Sequence, residues 1–500
     1  MSSTRPDFEV LIIGSGFGGL CVAIRLEQAG FPSYVVLESG PDVGGTWRVN
    51  TYPGCACDIP SHLYSYSFEL NPDWSRMYPT QPEIWKYLQH CAKKYRVLPN
   101  IRFNSEVREA SYDEAAHLWR VRTQTGDAYT ARIVVSAMGG LSRISYPRIN
   151  GLEQFRGRVF HSAEWDHGAE LKGKRIGVIG TGASSIQIVP RIAPEAGRLH
   201  VFQRTPPWIV PKLDRNILAA ERFLFRRLPG YMRLFRSLLY LRQEMVGLGY
   251  TVNPKYMRLL ERLSRRHLRR SVRDPALRQK LTPAYQIGCK RVLLSNDYLK
   301  TLCRPNVEVV SEAIAEVREG SVVTVDGQER EVDALIFCTG FRTTDLLSPV
   351  HFSGRNGMAL NDAWRSGAEA FRGVTVAGFP NLFLLIGPNS RVGYNSIVFM
   401  IEAQTHYIIE CLRLMQRNGA SSIEARREEQ VRFNQRLQQR MGRTVYASGC
   451  KSWYLDESGK GTILWPGLSS QYWKDTRRLT PAEYILGTVL ETDVSAALLS

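Results

Sequence analysis

The sequence predicts an α/β fold of two similar halves, with a helical insertion in the second half. One pattern, FEVLIIGSGFGGLCVAIRLEQAGFPSYVVLES, begins at Phe8, and a similar one, KRIGVIGTGASSIQIVPRIAPEAGRLHVFQRT, begins at Lys174. Each reads as an apolar strand, a Gly-rich turn, an amphipathic helix and a second strand, which is typical of a βαβ unit. Two such units predict two dinucleotide-binding (Rossmann-like) domains.

The order of the patterns divides the chain of 500 residues into segments. Gly139 and Gly140, followed by Tyr146–Pro147, predict a linker between the domains. Apolar residues at helical spacing among arginines predict an inserted helical segment, and EVDALIFCTGF (331–341) predicts the last buried strand of the second domain. The predicted segments are 1–145 and 370–500 for the first domain, 146–214 and 281–369 for the second, and 215–280 for the insertion.

The first Gly-rich turn has the spacing of a dinucleotide site. Gly14 permits a tight turn, Gly16 lets the backbone approach a pyrophosphate, and Gly19 lets helix and strand pack closely. The N-terminus of the following helix carries a partial positive charge that favours phosphate. Glu38 ends the next strand, and its carboxylate suits a ribose hydroxyl pair.

The second turn differs in its third Gly position and in its charge. Ser185 replaces the third Gly, which still allows close packing. Arg204 lies 24 residues after Gly180, at the same offset that separates Glu38 from the first turn. Because Arg can bind a 2′-phosphate that a carboxylate would repel, we predict FAD at the first site and NADPH at the second. The predicted NADPH contacts in this unit are Gly180, Gly182, Ser184, Arg204 and Thr205.

An enzyme that binds FAD and NADPH passes hydride to the flavin, which then needs an electron acceptor. A disulfide acceptor would need a close cysteine pair, and the closest pair is Cys55-Ala-Cys57. A gap of one residue gives a strained disulfide geometry. A one-electron carrier and oxygen stay open as acceptors, and we predict oxygen.

Composition and missing motifs exclude several other classes. Hydrophobic residues make up 44% of the chain and charged residues 22%, as in globular rather than disordered proteins. The N-terminus, MSSTRPDFEV, lacks the apolar stretch of a signal peptide, and no apolar run predicts a transmembrane helix. We expect a cytoplasmic protein whose nine scattered cysteines are reduced. Without HExxH, paired CxxC or GxSxG motifs, we predict no metal or serine-hydrolase site.

Positive charge is concentrated in one segment of the chain. The net charge is +18, from 65 Lys and Arg against 47 Asp and Glu. From Arg222 to Arg278, fourteen Arg and one Lys oppose Glu244, Glu261 and Asp274, fifteen charges against three and a balance of +12. A solvated helical face and a peripheral membrane contact through residues 222–278 both fit this pattern and stay open. No nucleic-acid-binding motif accompanies the charge, so we expect no nucleic-acid partner.

Two longer motifs carry a resemblance to a known family. The segment from Phe155 to Asp166, FRGRVFHSAEWD, resembles the FxGxxxHxxxW(P/D) fingerprint of the Baeyer–Villiger monooxygenases at every fixed position. A second fingerprint of that family, (A/G)GxWxxxx(F/Y)P(G/M)xxxD, is matched from Gly44 to Asp58. Both lie in the expected order around the two Gly-rich turns, and the resemblance extends over essentially the whole chain.

The resemblance implies a class B flavoprotein monooxygenase of type I. In that family NADPH reduces FAD, and oxygen adds to the flavin C4a to give a peroxyflavin. The peroxyflavin attacks a ketone carbonyl, and rearrangement gives an ester or lactone. Such a reaction needs a cation beside the peroxide, exclusion of water and donors for the developing oxyanion. The implied substrates are a ketone and O₂.

The family motifs also imply roles for particular residues. Arg291 matches the essential arginine, and Asp58 matches the acid that orients it. Lys290 matches a lysine that contacts the NADP phosphate, and Trp453 matches a tryptophan that holds NADP. The resemblance puts His161 near the domain hinge rather than in the chemistry. The residues implied to line the flavin are Gly45, Thr46, Trp47, Asp58 and Tyr64.

One departure and several alternatives stay open. The family often has a Gly-rich turn with a His after GPN, whereas this chain has GPNSRVGYN (387–395). We expect Arg391 and Tyr394 to reshape the substrate entrance, so the family's substrates are not carried over. An N- or S-oxygenating flavin monooxygenase is the main alternative. A flavin reductase and a non-enzymatic nucleotide- or membrane-binding protein are the others.

Overall fold

The computed structural model describes residues 5–141, 143–342, 349–450, 454–456 and 459–488. In these residues the strands form two large sheets and three small ones. In chain order the strands are β1 (Phe8–Ile13), β2 (Tyr34–Leu37), β3 (Ile101–Arg102), β4 (Val107–Asp113), β5 (Leu118–Thr123), β6 (Ala128–Ser136), β7 (Arg158–His161), β8 (Arg175–Ile179), β9 (Arg198–Phe202), β10 (Ile209–Val210), β11 (Leu293–Leu294), β12 (Val307–Val310), β13 (Ile314–Arg318), β14 (Ser321–Thr324), β15 (Glu329–Glu331), β16 (Ala334–Phe337), β17 (His351–Ser353), β18 (Leu382–Leu384), β19 (Ser422–Ala425) and β20 (Tyr484–Gly487).

Helices cover both large sheets and form the insertion. In chain order the α-helices are α1 (Phe17–Ala29), α2 (Thr46–Val49), α3 (Gln81–Lys94), α4 (Ser185–Ile192), α5 (Ala219–Arg227), α6 (Tyr231–Thr251), α7 (Met257–Ser271), α8 (Pro275–Lys280), α9 (Tyr298–Thr301), α10 (Leu360–Ala363), α11 (Ile397–Arg417), α12 (Arg427–Met441) and α13 (Ser469–Arg477). None of the helices in the described part of the chain has the length and apolarity needed to cross a bilayer.

The first large sheet has β1 near its centre. The strand order is β17-β4-β5-β6-β1-β2-β3, and β18 also pairs with β6. Strands β1, β2, β6 and β18 run parallel, so their carboxyl ends meet at one edge. Along β1, Val10 and Ile12 pack on the side of α1 and α11, whereas Leu11 and Ile13 pack into the core on the other side. This alternation is the period of two that a strand with both faces covered requires.

The second large sheet is entirely parallel. Its order is β12-β9-β8-β16-β7, with β8 and β16 paired at its centre. Ile176 and Val178 of β8 pack into one buried cluster, and Ile179 packs into another with Phe337 of β16. A parallel sheet covered on both faces explains why these strands are apolar runs.

Helices α5 to α8 lie within the segment that the sequence predicts as an insertion. They pack back onto the first domain rather than standing free in solvent. Arg236 on α6 lies 3.8 Å from Glu402 on α11, and Glu244 on α6 accepts hydrogen bonds from Ser469. The insertion therefore bridges the second domain and the segment after residue 370.

The chain returns to the first sheet earlier than the predicted boundary at residue 370. Strand β17 already pairs with β4, with His351 opposite Glu109. Strand β17 has only three residues and no periodic pattern, so the sequence does not indicate that the chain returns to the first sheet here. The structural boundary of the second domain therefore lies before residue 351.

Candidate active site

The first Gly-rich turn lies between the carboxyl end of β1 and α1. Gly14 has a φ of 99°, and a Cβ there would approach the carbonyl oxygen of Ala137 to 2.9 Å. A Cβ on Gly19 would overlap the Gly14 carbonyl, so helix and strand can pack only without one. A Cβ on Gly16 would lie 3.7 Å from the Cα of Gly45. The turn and the Gly44–Gly45 loop thus leave the backbone surface that a dinucleotide pyrophosphate needs.

Glu38 is fixed beside this turn. It follows β2, is 5% exposed, and accepts hydrogen bonds from the Ser15 N–H at 2.8 Å and the Ser15 hydroxyl at 2.7 Å. The Gly40 N–H donates to its other oxygen at 2.8 Å. A carboxylate held in this way has the position and charge to accept from ribose hydroxyls, which fits FAD.

Trp47 and Tyr64 form a small aromatic wall beside the same loop. The Trp47 indole N–H donates to the Tyr64 hydroxyl at 3.1 Å, and their rings meet edge-on with centroids 5.6 Å apart. Burial raises the pKa of Tyr64 well above its ordinary value, so the hydroxyl stays protonated. Thr46 begins α2 and is exposed. These are the surroundings that the sequence predicts for the flavin.

The second turn repeats the first at the end of β8. Gly180 has a φ of 105°, and a Cβ there would approach the Cys338 carbonyl oxygen to 2.5 Å. A Cβ on Gly182 would meet nothing within 4 Å, so the space above it is open. Ser184 is the N-cap of α4, and the buried Ser185 hydroxyl has no hydrogen-bond partner in the described residues. An open turn with unused donors fits a second dinucleotide.

Two cations lie close together beside the second turn. Burial and the positive charge of Arg204 both lower the pKa of Lys290. Neither side chain has a carboxylate partner among the described residues, and the Lys290 ammonium lies 4.9 Å from the centre of the Tyr285 ring. Adjacent Thr205 accepts a hydrogen bond from Thr181 through its backbone carbonyl at 3.1 Å. Like charges held together without a counter-ion form a site for an anion such as a 2′-phosphate.

Asp58 and Arg291 form an ion pair that joins the two domains. The Arg291 Nε–H and a terminal N–H donate to the same oxygen of Asp58 at 2.8 and 2.6 Å. The Asp58 carboxylate raises the pKa of Arg291 further, so the guanidinium stays charged at any physiological pH. Both side chains are partly exposed, at 30% and 25%, so the guanidinium is fixed yet accessible.

Tyr454 is a neighbour of this pair that the sequence does not reveal. Burial raises the pKa of Tyr454 to about 12, and the Arg291 charge opposes that rise. Its ring meets the Tyr446 ring edge-on at 5.7 Å. Tyr454 directly follows Trp453 in a segment that the resemblance covers, but the resemblance gave it no role, and only the fold places it beside Arg291. Trp453, predicted to hold NADP, lies outside the described residues.

The loop that carries Asp58 contacts α4 across an interdomain cleft. Tyr52 donates a hydrogen bond to Gln187 at 3.1 Å, and Gln187 donates to the Ala56 carbonyl at 3.0 Å. A cavity of about 490 Å³ lies along this contact, between the loop and helix α4, and Lys212 also lines it. The cavity therefore lies between the loop of the first domain and α4, the helix that follows the NADPH-type turn.

His161 ends β7 and is fully buried away from the cleft. Its Nδ1 accepts a hydrogen bond from the Ala163 N–H at 3.1 Å, and burial lowers its pKa to about 4. Its ring lies 5.6 Å from that of Tyr146 in the linker and 5.9 Å from that of Phe341. A neutral, packed imidazole between linker segments is suited to a structural role.

The prediction that all nine cysteines are reduced is wrong. Cys289 and Cys450 form a disulfide with a Cα–Cα distance of 6.3 Å, within the range such a bond requires. They are 161 residues apart, so spacing in the sequence could not indicate the pair. The disulfide ties Cys289, two residues before Arg291, to Cys450, four residues before Tyr454. The other seven cysteines are free thiols.

These features define the class of protein. Each large sheet carries a Gly-rich turn at a strand end, one beside a carboxylate and the other beside two cations. A permanently charged, accessible arginine joins the two domains through its ion pair with Asp58. The arrangement is that of an oxidoreductase that brings a flavin dinucleotide and a nicotinamide dinucleotide together.

Comparison with known proteins gives the family. Residues 8–346 match the flavin-binding monooxygenase-like family. A Baeyer–Villiger monooxygenase of Pseudomonas aeruginosa is 49% identical over 482 residues, which cover 96% of this chain and 92% of that protein. The structure of OTEMO in complex with FAD and NADP matches with a TM-score of 0.87 at 29% identity, over 97% of this chain and 100% of that one. Cyclohexanone monooxygenase from Rhodococcus sp. Phi1, bound to NADP⁺, has the same TM-score and coverage at 30% identity.

The chain belongs to the flavin-binding monooxygenase-like family, as one of its Baeyer–Villiger monooxygenases. The α/β fold class and the family resemblance predicted from the sequence are both confirmed.

Proposed function

We propose that this chain uses FAD and NADPH to insert one oxygen atom from O₂ next to a ketone carbonyl, giving an ester or lactone. The single observation that carries the proposal is the Asp58–Arg291 pair, fixed and accessible between two dinucleotide-binding domains. The FAD and NADP bound in OTEMO support the two cofactors, and the names of the relatives support the reaction.

In this proposal, bound NADPH would supply the hydride that reduces the flavin, and the bound flavin would supply the activated oxygen. Arg291 stabilises negative charge that develops on oxygen atoms in the cleft, because its guanidinium cannot lose its proton there. Asp58 uses one oxygen to hold two N–H groups of Arg291, which fixes the orientation of the remaining donors. Both side chains are thus in position before the substrate arrives, so the reaction needs no rearrangement of these charges.

The remaining residues bind and enclose the cofactors. Glu38 and the Gly16–Gly45 surface suit the ribose and pyrophosphate of FAD, whereas Arg204 and Lys290 suit the 2′-phosphate of NADPH. The hydrogen bond between Trp47 and Tyr64 stiffens a wall that helps to keep water from the flavin.

Product analysis under ¹⁸O₂ tests the proposed reaction. The purified protein is incubated with NADPH, ¹⁸O₂ and a panel of cyclic and linear ketones, and the products are identified by mass spectrometry. We expect a lactone or ester that carries one ¹⁸O atom, with one NADPH consumed for each product molecule. NADPH oxidation that yields only hydrogen peroxide over the whole panel would contradict the reaction.

We further propose that residues 222–278 make a peripheral contact with an anionic membrane, which would bring lipophilic ketones to the enzyme. Leu234, Leu238, Leu241 and Met245 lie three or four residues apart on one face of α6, and each is 57–60% exposed. The segment around them carries a balance of +12. Like charges on a second copy would oppose self-association through this face, whereas anionic lipid would attract it.

Vesicle flotation tests the membrane contact. Leu238→Glu with Leu241→Glu is expected to lower binding to phosphatidylglycerol vesicles by about 10-fold or more, because two apolar side chains no longer enter the interface. Leu98→Glu with Val325→Glu adds the same charge at exposed sites outside the segment and should leave binding nearly unchanged. Equal recovery of the parent protein on phosphatidylglycerol and phosphatidylcholine vesicles would exclude the contact.

A further inference from the structure

Arg391 carries a buried guanidinium that has no partner in the part of the chain that the structure describes. The residue is 9% exposed, and its side chain makes no hydrogen bond or ion pair with any described residue. Its backbone is well held, because its N–H donates to the Ile463 carbonyl at 3.2 Å and its carbonyl accepts from the Trp465 N–H at 2.7 Å. The side chain is therefore fixed at its base and unpaired at its charged end.

Two other strongly buried arginines each have a carboxylate partner. Arg372 contacts Glu483 at 2.9 Å, and Arg330 contacts Glu308 at 2.8 Å. Burial alone lowers the pKa of Arg391 to about 10, with no neighbouring charge contributing. The group is still cationic at neutral pH, and a buried cation without a counter-ion is costly. Such a side chain indicates a partner that the polypeptide does not supply.

The guanidinium lies at the edge of the first sheet where the FAD-type turn lies. Its small cavity is lined by Ser136 at the end of β6, by Gly139 after it, and by Leu385 and Gly387 after β18. The carboxyl ends of β6 and β18 lie beside that of β1 in a parallel arrangement. In parallel sheets, ligands bind outside these carboxyl ends.

Leu385 contacts the Gly-rich turn, and Arg391 contacts the segment that follows β6. A Cβ on Gly18 would approach the Leu385 side chain to 3.0 Å, so Leu385 covers the start of α1. A Cβ on Gly140 would collide with the Arg391 guanidinium, which fills the space that this glycine leaves. The unpaired charge is thus built into the wall of the FAD-type site.

We infer that Arg391 is a cofactor-binding residue, whose guanidinium binds an anionic oxygen acceptor of FAD, in its pyrophosphate or its reduced ring. The inference rests on the proposed use of FAD. It adds a cation near the Gly-rich turn, and it explains why Arg391 has no partner among the described residues. The same acceptor chemistry could come from a substrate carboxylate, so the test separates the two sources.

Titration of the flavin-free, full-length chain with FAD tests the inference. Arg391→Met is expected to weaken FAD binding by about 10- to 100-fold, because a charge-assisted hydrogen bond is lost. The same variant is expected to raise the unfolding temperature of the flavin-free chain, because an uncompensated buried cation is removed. Arg391→Lys keeps the charge and should bind FAD better than Arg391→Met. Arg372→Met is the matched control: it breaks an ion pair, so it should lower the unfolding temperature without a selective loss of FAD affinity.

The outcomes separate the inference from the proposed function. Parent-like FAD affinity in Arg391→Met would overturn the inference while leaving the use of FAD intact. A second outcome is that the variant binds FAD normally, whereas the FAD-loaded enzyme binds a keto acid more weakly and still binds the matching methyl ketone like the parent. That result would identify a substrate carboxylate as the acceptor and would contradict the assignment of Arg391 to FAD. Failure of the parent chain to bind FAD would overturn both the inference and the proposed function.

Discussion

Arg291→Ala is expected to lower ketone oxygenation by about 100- to 1,000-fold while reduction of the bound flavin by NADPH stays near the parental rate. The two steps separate because hydride transfer needs only that the two dinucleotides lie close together. Oxygenation also needs a cation beside the developing negative charge, and Arg291 is the cation that Asp58 holds between the two domains.

Stopped-flow absorbance measures the first step under anaerobic conditions, and product formation under oxygen measures the second. Arg291→Lys should lie between the parent and Arg291→Ala, because lysine keeps the charge but cannot match the paired N–H groups that reach Asp58. Arg265→Ala, which removes an ion-paired arginine on α7, is the control and should leave both steps unchanged. Parental oxygenation by Arg291→Ala would show that the assigned role is wrong.

Asp58→Asn gives an independent view of the same pair. The amide keeps the shape of the side chain but removes the charge that raises the Arg291 pKa and holds its N–H groups. Oxygenation should fall less than in Arg291→Ala, since the cation remains, and more hydrogen peroxide should form for each NADPH consumed. That pattern would identify Asp58 as a positioning residue rather than one that contacts the substrate.

The Gly-rich turns could be predicted from the sequence because their requirements are local. Gly14 and Gly180 both have positive φ and both face a carbonyl oxygen that a side chain would strike. The preceding strand, the following helix and the charge 24 residues later all fall within one βαβ unit. A single segment therefore contains the information that specifies each turn.

Contacts between distant segments could not be predicted from spacing. Asp58 and Arg291 are 233 residues apart, and the family resemblance rather than any pattern predicted their partnership. Cys289 and Cys450 carry no such signal, so their disulfide was missed, and Tyr454 and the early return through β17 were missed for the same reason. In each case, which residues become neighbours depends on how the whole domain packs.

The contacts of Arg391 could not be predicted from the sequence either, for a third reason. The sequence marks it as a departure after GPN, but it says nothing of what the arginine contacts. The inference that Arg391 binds FAD needs two structural observations. The guanidinium is buried at the carboxyl ends of the strands, and it has no carboxylate partner among the described residues.

Arg204→Ala is expected to raise the KM for NADPH by about 10- to 100-fold and to leave the KM for NADH nearly unchanged. The 2′-phosphate is the only group that distinguishes the two nucleotides, so a residue that binds it should affect NADPH alone. Lys290→Ala should act in the same direction, because Lys290 lies near Arg204. That proximity is seen in the pKa of Lys290, which burial and the Arg204 charge both lower. An anion between the two cations relieves that repulsion, which couples their contributions.

The coupling makes the double variant more informative than either single one. If both cations bind one phosphate, Arg204→Ala with Lys290→Ala should remove the preference for NADPH, with a combined effect that differs from the sum of the two single effects. Arg198→Ala is the matched control, since Arg198 begins β9 whereas Arg204 follows its end, and Arg198 lies 3.5 Å from Glu308. Steady-state kinetics with NADPH and NADH measures the parent and all four variants. An unchanged ratio in Arg204→Ala would mean that the phosphate lies elsewhere, and the two unpaired cations would then need a different anion.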